Sequence, residues 1–250
     1  MAFNAEELSG LSQNLIAEAE RHGTRLRLLG GLAFYISSPT AARLPGLQRE
    51  YKDLDFAVDK KGARALGEIF SSQGWEPDRH FNALHGRTRL LFYYQKTLQA
   101  DIFIGEFEQC HKLDLDSRLG LSSPTLPLAD LLLTKLQVRQ INEKDARDVY
   151  TLLLGHDLAS DGAPGYIDLG FITHLTSSDW GWYTTIHDNL DTLDQNLPAG
   201  LAEADRQRIQ SRLGSLRSAM EAAPKSLRWQ MRNQVGRRVP WYDEPEEVLR

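Results

Sequence analysis

Apolar residues recur at Leu8, Leu11, Leu15 and Ala19, the period of a helix with one buried face. Asn4 with Glu7 three places on is a capping-box start, and Gly23 ends the pattern. The chain is therefore predicted to open on a helix. Residues 25–29 alternate charged and apolar side chains and then turn wholly apolar, as a strand does on entering a core. Gly30-Gly31 interrupts that run, and residues 32–36 are predicted to begin a short helix. The proline and glycine content of residues 39–48 reads as a loop. Residues 53–58 form a predicted strand with Leu54 and Phe56 on one side. Residues 62–73 are predicted to form an amphipathic helix closed by Gly74. Two further strands, 87–95 and 98–104, are joined by a tight polar turn around Lys96-Thr97, and 112–116 reads as another short strand.

Beyond Pro127 the period changes to helical. Helices are predicted at 127–140 and 143–154, with Asn142 capping the second, then at 165–175, 183–193, 201–222 and 225–235. The Gly-, Asp- and Ser-bearing stretch 157–165 reads as a loop and a candidate boundary. The expected fold class is α/β (α+β), with a mixed core over residues 1–126 and a helical region over 127–250.

Composition alters this picture little. The 250 residues, 41% hydrophobic and 25% charged, suit one large globular domain or two modest ones. A net charge of −5 with neutral histidines excludes a global basic field for nucleic acid. The first residues lack the basic start and apolar stretch of a signal peptide. No apolar run approaches the ~20 residues of a membrane span. These features predict a cytoplasmic protein without a membrane partner. Cys110 is the only cysteine, and the dispersed histidines make no zinc pattern.

Charge is locally uneven. Arg206, Arg208, Arg212, Arg217, Lys225, Arg228, Arg232, Arg237 and Arg238 face a single acid, Glu221, across residues 206–238, before Asp243, Glu244, Glu246 and Glu247. Such a stretch either docks a phosphate-rich partner such as RNA or is a solvated helix face whose stems cover apolar surface.

Candidate chemistry lies in three acids. Residues two apart on a strand share a face, so Asp53 and Asp55 can aim both carboxylates at one point. Asp101, in the apolar run 98–104, can join them from a neighbouring strand. Hard divalent cations take oxygen ligands, and magnesium often uses one or two carboxylates with substrate phosphates. Acid-x-acid pairs are common by chance, however. Asp114/Asp116, Glu106/Glu108 and Glu18/Glu20 have the same spacing. Lys135, in Leu-Leu-Leu-Thr-Lys-Leu, either snorkels to the surface or serves a buried anion. Asp145 and Asp148 share a face of the following helix, where they can also act as early-turn acids offsetting the helix dipole.

These residues resemble the motifs of the nucleotidyltransferase superfamily. The likeness is carried by Leu28-Leu29-Gly30-Gly31, Lys52-Asp53-Leu54-Asp55-Phe56 and Ala100-Asp101-Ile102-Phe103. The run from Leu128 to Leu136, with Lys144, Asp145 and Asp148, is similar to later motifs of AbiEii-type nucleotidyltransferases, some of them toxins of toxin–antitoxin systems. The resemblance covers residues 24–155 and implies a small mixed sheet flanked by helices, with a helical C-terminal region beside the cleft. It implies that Gly30 and Gly31 contact a nucleoside triphosphate (NTP) through backbone N–H groups. Asp53 and Asp55 would hold magnesium or manganese, and Asp101 would bind a second metal or act as base. Lys135 would contact nucleotide phosphates, and Lys144, Asp145 and Asp148 are secondary candidates. Two departures stand out. Gly31 occupies a position where many members have serine, and the 21 residues from Leu32 to Lys52 exceed the roughly ten of the compact motif.

The leading expectation is an enzyme that moves a nucleoside monophosphate from an NTP to a hydroxyl of RNA, protein or a small molecule. It would be toxin-like, with a cognate antitoxin as partner. The alternative is a catalytically silent binding or regulatory protein of the same fold. A metal-dependent glycosyltransferase also uses Asp-x-Asp, but the early switch to helices argues against one.

Overall fold

The computed structural model describes residues 3–244. Met1 and Ala2 of the N-terminal sequence, and Glu246 and Glu247 of the acidic run, lie outside the described residues. In chain order the main elements are α1 (Ala5–Arg21), β1 (Leu26–Leu29), α2 (Gly30–Ser37), α3 (Pro39–Ala42), β2 (Asp53–Val58), α4 (Leu66–Ser72), β3 (Trp75–Pro77), α5 (Arg79–His85), β4 (Arg89–Tyr94) and β5 (Leu98–Ile104). There follow α6 (Leu128–Leu136), α7 (Glu143–Gly155), α8 (Leu169–Ser178), α9 (Trp180–Gln195), α10 (Glu203–Ala222) and α11 (Leu227–Val235). This is the expected mixed α/β core followed by a helical region. No helix among the described residues is long and apolar enough to cross a membrane.

The chain forms two compact units. Among the described residues, the first comprises 3–37, 49–107 and 113–127, and the second 38–48, 108–112 and 128–244. The first unit is a five-stranded mixed sheet in the order β1-β2-β5-β4-β3. β2 runs antiparallel to β1 and parallel to β5, while β4 is antiparallel to both β5 and β3. Leu54 and Phe56 on β2, and Ala100 and Ile102 on β5, are fully buried. Phe70 of α4 anchors this apolar side. Its ring stacks on Phe92 at 4.4 Å and meets Phe56 and Trp75 edge-on at 6.1 and 5.8 Å, geometries that favour aromatic pairs.

The capping box at Asn4 and Glu7 forms as expected, the Asn4 side chain accepting from Glu6 and Glu7 N–H groups. The β4–β5 hairpin turns one residue earlier than predicted, through Gln95 (φ 50°) and Lys96 (φ 59°), a left-handed pair that follows the strand twist. Other elements differ from the pattern. The supposed loop at 39–48 contains α3, whose Pro39 sits at the first position, where a missing N–H is tolerated. The predicted helix at 62–73 begins as a 3-10 turn over Gly62–Ala65 before α4. The strand expected over 112–116 stops at Asp114. β3 and α5 were not anticipated. β3 has three residues, and α5 buries none of its side chains, so neither leaves a periodic apolar signal.

In the second unit α6 ends at Leu136, short of the expected 140. Asn189 on α9, 1% exposed, explains the stop. Its Nδ2 donates to the carbonyls of Leu136 (2.9 Å) and Val138 (2.7 Å), and its Oδ1 accepts from Ile141 N–H (3.2 Å). The helix-end carbonyls that would otherwise lack partners are satisfied this way. The stretch 157–165 lies inside this unit rather than at a boundary, and Leu158–Ala159 pairs in parallel with Ile167–Asp168. Ile209, Leu213, Leu216 and Met220 of α10 supply a buried stripe.

His111 is buried in the second unit. Its Nε2 lies 2.8 Å from the Thr185 hydroxyl and its ring stacks on Trp182 at 5.0 Å. Burial lowers its pKa from the ordinary value of 6.5 to about 4, against opposing charge from Asp179 and Asp243. A depressed folded-state pKa means the folded protein binds fewer protons than the unfolded chain as acid is added. Stability is full above 6.5 and is lost as pH falls toward about 4.

Two outcomes are expected. Phe70→Ala should lose about 3–5 kcal/mol of unfolding free energy, and a loss under about 1 kcal/mol in denaturant titration would contradict the central role given to that ring. Between pH 6.5 and 4 the wild type should lose up to about 3 kcal/mol through His111, and His111→Gln should show a flatter stability–pH curve. Parallel curves would remove His111 as the cause.

Candidate functional site

The opposite side of the sheet carries the acids. Leu54 and Phe56 point into the core, so Asp53 and Asp55 project to the other face of β2 and remain partly exposed. The parallel register sets Asp55 directly beside Asp101 and Asp53 beside Gln99. Leu29, the residue before the glycine turn, pairs with Asp55 from β1. Leu29, Asp55 and Asp101 therefore occupy neighbouring positions across three adjacent strands, with Gly30 following at the end of β1.

The glycines are required by what touches them. Gly30 has φ +68°, a conformation natural to glycine. A Cβ there would overlap the Asp55 carboxylate, standing 2.8 Å from Asp55 Cγ. A Cβ at Gly31 would lie 2.6 Å from Arg49 Cζ, inside its guanidinium. A carboxylate thus rests on one glycine and a guanidinium on the next.

Asp101 is 2% exposed and is held by Arg89. Arg89 Nε and Nη2 donate to Asp101 Oδ1 and Oδ2, both at 2.6 Å, and Gln99 Nε2 donates to Oδ2 at 3.1 Å. Arg89 pairs in register with Phe103 while Asp101 faces Leu91, so the contact is the diagonal one open to long side chains across strands. Arg89 also lies over the Phe103 ring at 5.0 Å and the Phe81 ring at 5.8 Å. Burial alone would lower its pKa, but the hydrogen bonds and charge of Asp101, with Asp55 adding, hold it above its ordinary value. No group of three or more His, Cys, Asp or Glu side chains among the described residues is arranged to hold a metal. Arg89, Arg49 and Gln99 are the site residues that sequence reasoning missed. Arg89 meets Asp101 diagonally across a hairpin and Arg49 meets Gly31 from a later segment, whereas Gln99, two residues before Asp101 on the same strand, was open to the same alternation rule that joins Asp53 with Asp55.

The remaining candidates belong to the second unit. Lys135 on α6 is 14% exposed at its side chain and pairs with Asp145 at 2.5 Å and Asp148 at 3.2 Å. It neither snorkels free nor stands alone, since two carboxylates of α7 surround it. Asp145 is fixed further by Asn142, which caps α7 by accepting its N–H at 3.0 Å and donates to its Oδ2 at 2.8 Å. Lys144 is exposed on the first turn of α7. The Lys135 ammonium is therefore held between Asp145 and Asp148.

Most of the basic stretch at 206–238 serves its own unit. Arg217 pairs with Asp191 at 2.7 Å and Arg237 with Asp188 at 2.6 Å. Arg212 contacts Asp157 and the Leu153 carbonyl. Arg206 donates to Pro198 O at 2.9 Å, and Arg232 to Gly236 O at 2.6 Å while covering the Trp180 ring. Lys225 donates to the Ala223 carbonyl at 2.7 Å. These contacts match the solvated face with buried stems.

Comparison with known proteins adds little. No family model matches the chain, and no curated protein matches it. Among solved structures it is similar to terminal uridylyl transferase 4 from Trypanosoma brucei with bound GTP. The identity is 9%, 88% of this chain and 93% of that chain are covered, and the TM-score is 0.32.

The Arg89–Asp101 pair has a measurable consequence. Arg89→Met leaves a buried carboxylate without its counter-ion and should cost about 3 kcal/mol. Arg89→Met/Asp101→Leu should recover more than half of that in denaturant titration. A double variant no more stable than the single one would show that the pair is not the source of the loss.

Proposed function

We propose that this chain is a nucleotidyltransferase that uses Asp53 and Asp55 to hold a divalent metal against the phosphates of a nucleoside triphosphate. The observation that carries the proposal is the close packing of Gly30 on the Asp55 carboxylate, with Asp101 beside it in register. A turn that excludes a side chain next to a carboxylate pair gives phosphate oxygens and a cation a common approach. Asp53 and Asp55 fit the donor set that magnesium or manganese takes, one or two carboxylates with substrate oxygens completing the shell. Asp101, with both oxygens engaged by Arg89, contributes fixed negative charge unless Arg89 moves aside. When bound, the cation would supply charge neutralisation to the transferring phosphoryl group.

The proposed reaction joins an acceptor hydroxyl oxygen to the α-phosphorus and breaks the α–β bridging P–O bond, and pyrophosphate departs. Backbone N–H groups at Gly30 and Gly31 orient the triphosphate. The hydroxyl proton passes to a base, for which Asp101 is the candidate once freed from Arg89. Lys135, with Lys144, Asp145 and Asp148, belongs to the proposal only as the family resemblance implies, as a group that contacts nucleotide phosphates or positions the acceptor. The AbiEii-type likeness of Leu128–Leu136 with Asp145 and Asp148 supports a toxin-like role, for which a cognate antitoxin would be the partner. An RNA acceptor is supported less well, because the basic stretch is largely engaged in internal contacts.

One observation favours the silent alternative. A bidentate arginine on Asp101 is a stable resting arrangement, and a protein that kept it permanently would bind nucleotide without turnover. The test is incubation with labelled NTPs, magnesium and cellular RNA or protein. The wild type should label an acceptor, and Asp53→Ala/Asp55→Ala should reduce labelling at least 100-fold, the scale of lost charge stabilisation at such sites. Equal labelling by the double variant would defeat the assignment. Magnesium-dependent nucleotide binding without labelling would establish the silent form.

A further inference from the structure

Helix α11 has two unlike faces. Its inner face ties it to the rest of its unit. The Trp229 ring meets Tyr183 edge-on at 5.2 Å, and Asn233 Oδ1 accepts from Trp180 Nε1 at 2.7 Å. Trp229 and Asn233 are four residues apart and so share that face. Leu227, Met231 and Val235 have the same spacing and line up on another face. These three are 42–78% exposed, and Val239, just beyond the helix, is exposed as well. Exposed apolar residues scattered singly need no account, but a contiguous row marks a contact surface. The row also borders a recess of about 400 Å³, whose walls include Met231, Val235, Trp180, Trp229 and Trp241. Such a recess beside an apolar ridge suits a bulky anchor side chain from a partner.

The charge around the row says what it can meet. Arg228 stands on one edge, one turn from Met231 and two from Val235, while Gln230 and Gln234 stand on the other. Residues 222–242 hold five cations and no acid. Three of the cations are engaged within the unit: Lys225 and Arg232 with carbonyls, and Arg237 with Asp188. Arg228 and Arg238 are exposed and make no ion pair or hydrogen bond with another described residue. A second copy docked row to row would set arginine toward arginine, with no acid on either side to receive it. The missing charge must come from a different molecule. We infer that α11 is the docking site for an acidic amphipathic helix of a partner protein. The partner lays its apolar side along Leu227, Met231 and Val235, places one anchor in the recess, and sets its carboxylates against Arg228 and Arg238. No residue of the proposed nucleotidyl-transfer site takes part.

Fluorescence anisotropy of the full chain with two labelled helical peptides tests this. The peptides share one leucine face and differ only in carrying glutamate or lysine beside it. The wild type should bind the glutamate peptide about tenfold or more tightly than the lysine peptide, with the gap narrowing as salt rises. Met231→Asp should weaken that binding about tenfold or more, and Arg228→Glu/Arg238→Glu should reverse the preference. The substituted side chains are exposed, so thermal unfolding should be unchanged. No binding of the glutamate peptide, equal affinity for the two peptides, or no loss in Met231→Asp would overturn the inference. Self-association in sedimentation that Met231→Asp abolishes would assign the row to a second copy instead. Flotation with phosphatidylglycerol vesicles that the same change abolishes would assign it to a lipid surface, and either result would overturn the inference too.

Discussion

The parallel pairing of β2 with β5 is the constraint on which the site depends. It alone sets Asp55 beside Asp101. A slip of one residue would send every side chain of one strand to the other face. That register is held by the apolar side of the sheet, where Leu54, Phe56, Ala100 and Ile102 are fully buried. The acids are thus placed by their hydrophobic neighbours, while the buried charge of Asp101 is met by Arg89. A sheet face with three acids would be unfavourable without such cations, and the bidentate Arg89–Asp101 contact is the strongest form the compensation takes.

Much of this was legible in the sequence because it follows from short-range rules. The bounds of β2 match at Asp53 and Val58, since alternation of acid and apolar residues leaves one register. The Asn4 and Asn142 caps appear where their spacing places them. The decoy pairs separate for a physical reason as well. Glu106 and Glu108 are exposed on a three-residue strand whose Phe107 alone is buried, outside the five-stranded sheet. What stayed hidden is long-range. Nothing within ten residues of Arg89 shows that it will close on Asp101, and nothing near Gly31 shows that Arg49 will fill its side-chain space. The early end of α6 is similar, because the responsible amide comes from Asn189, far along the chain.

Lys135 has two readings in the sequence, snorkelling to the surface or serving a buried anion. The structure sets two carboxylates of α7 beside it. With Asp145 at 2.5 Å and Asp148 at 3.2 Å, the ammonium already serves anions of its own unit. The basic stretch at 206–238 makes the complementary point. Charge counted along a sequence overstates the field available to a partner when carbonyls, acids and aromatic rings of the same unit already take it up.

The most direct test of the central claim is a crystal structure with manganese and a non-hydrolysable nucleoside triphosphate. An anomalous peak bridging the Asp53 and Asp55 carboxylates, with the phosphate chain against Gly30 and Gly31, is the predicted result. Manganese and nucleotide bound elsewhere, with Asp53 and Asp55 making no contact to either, would contradict the account.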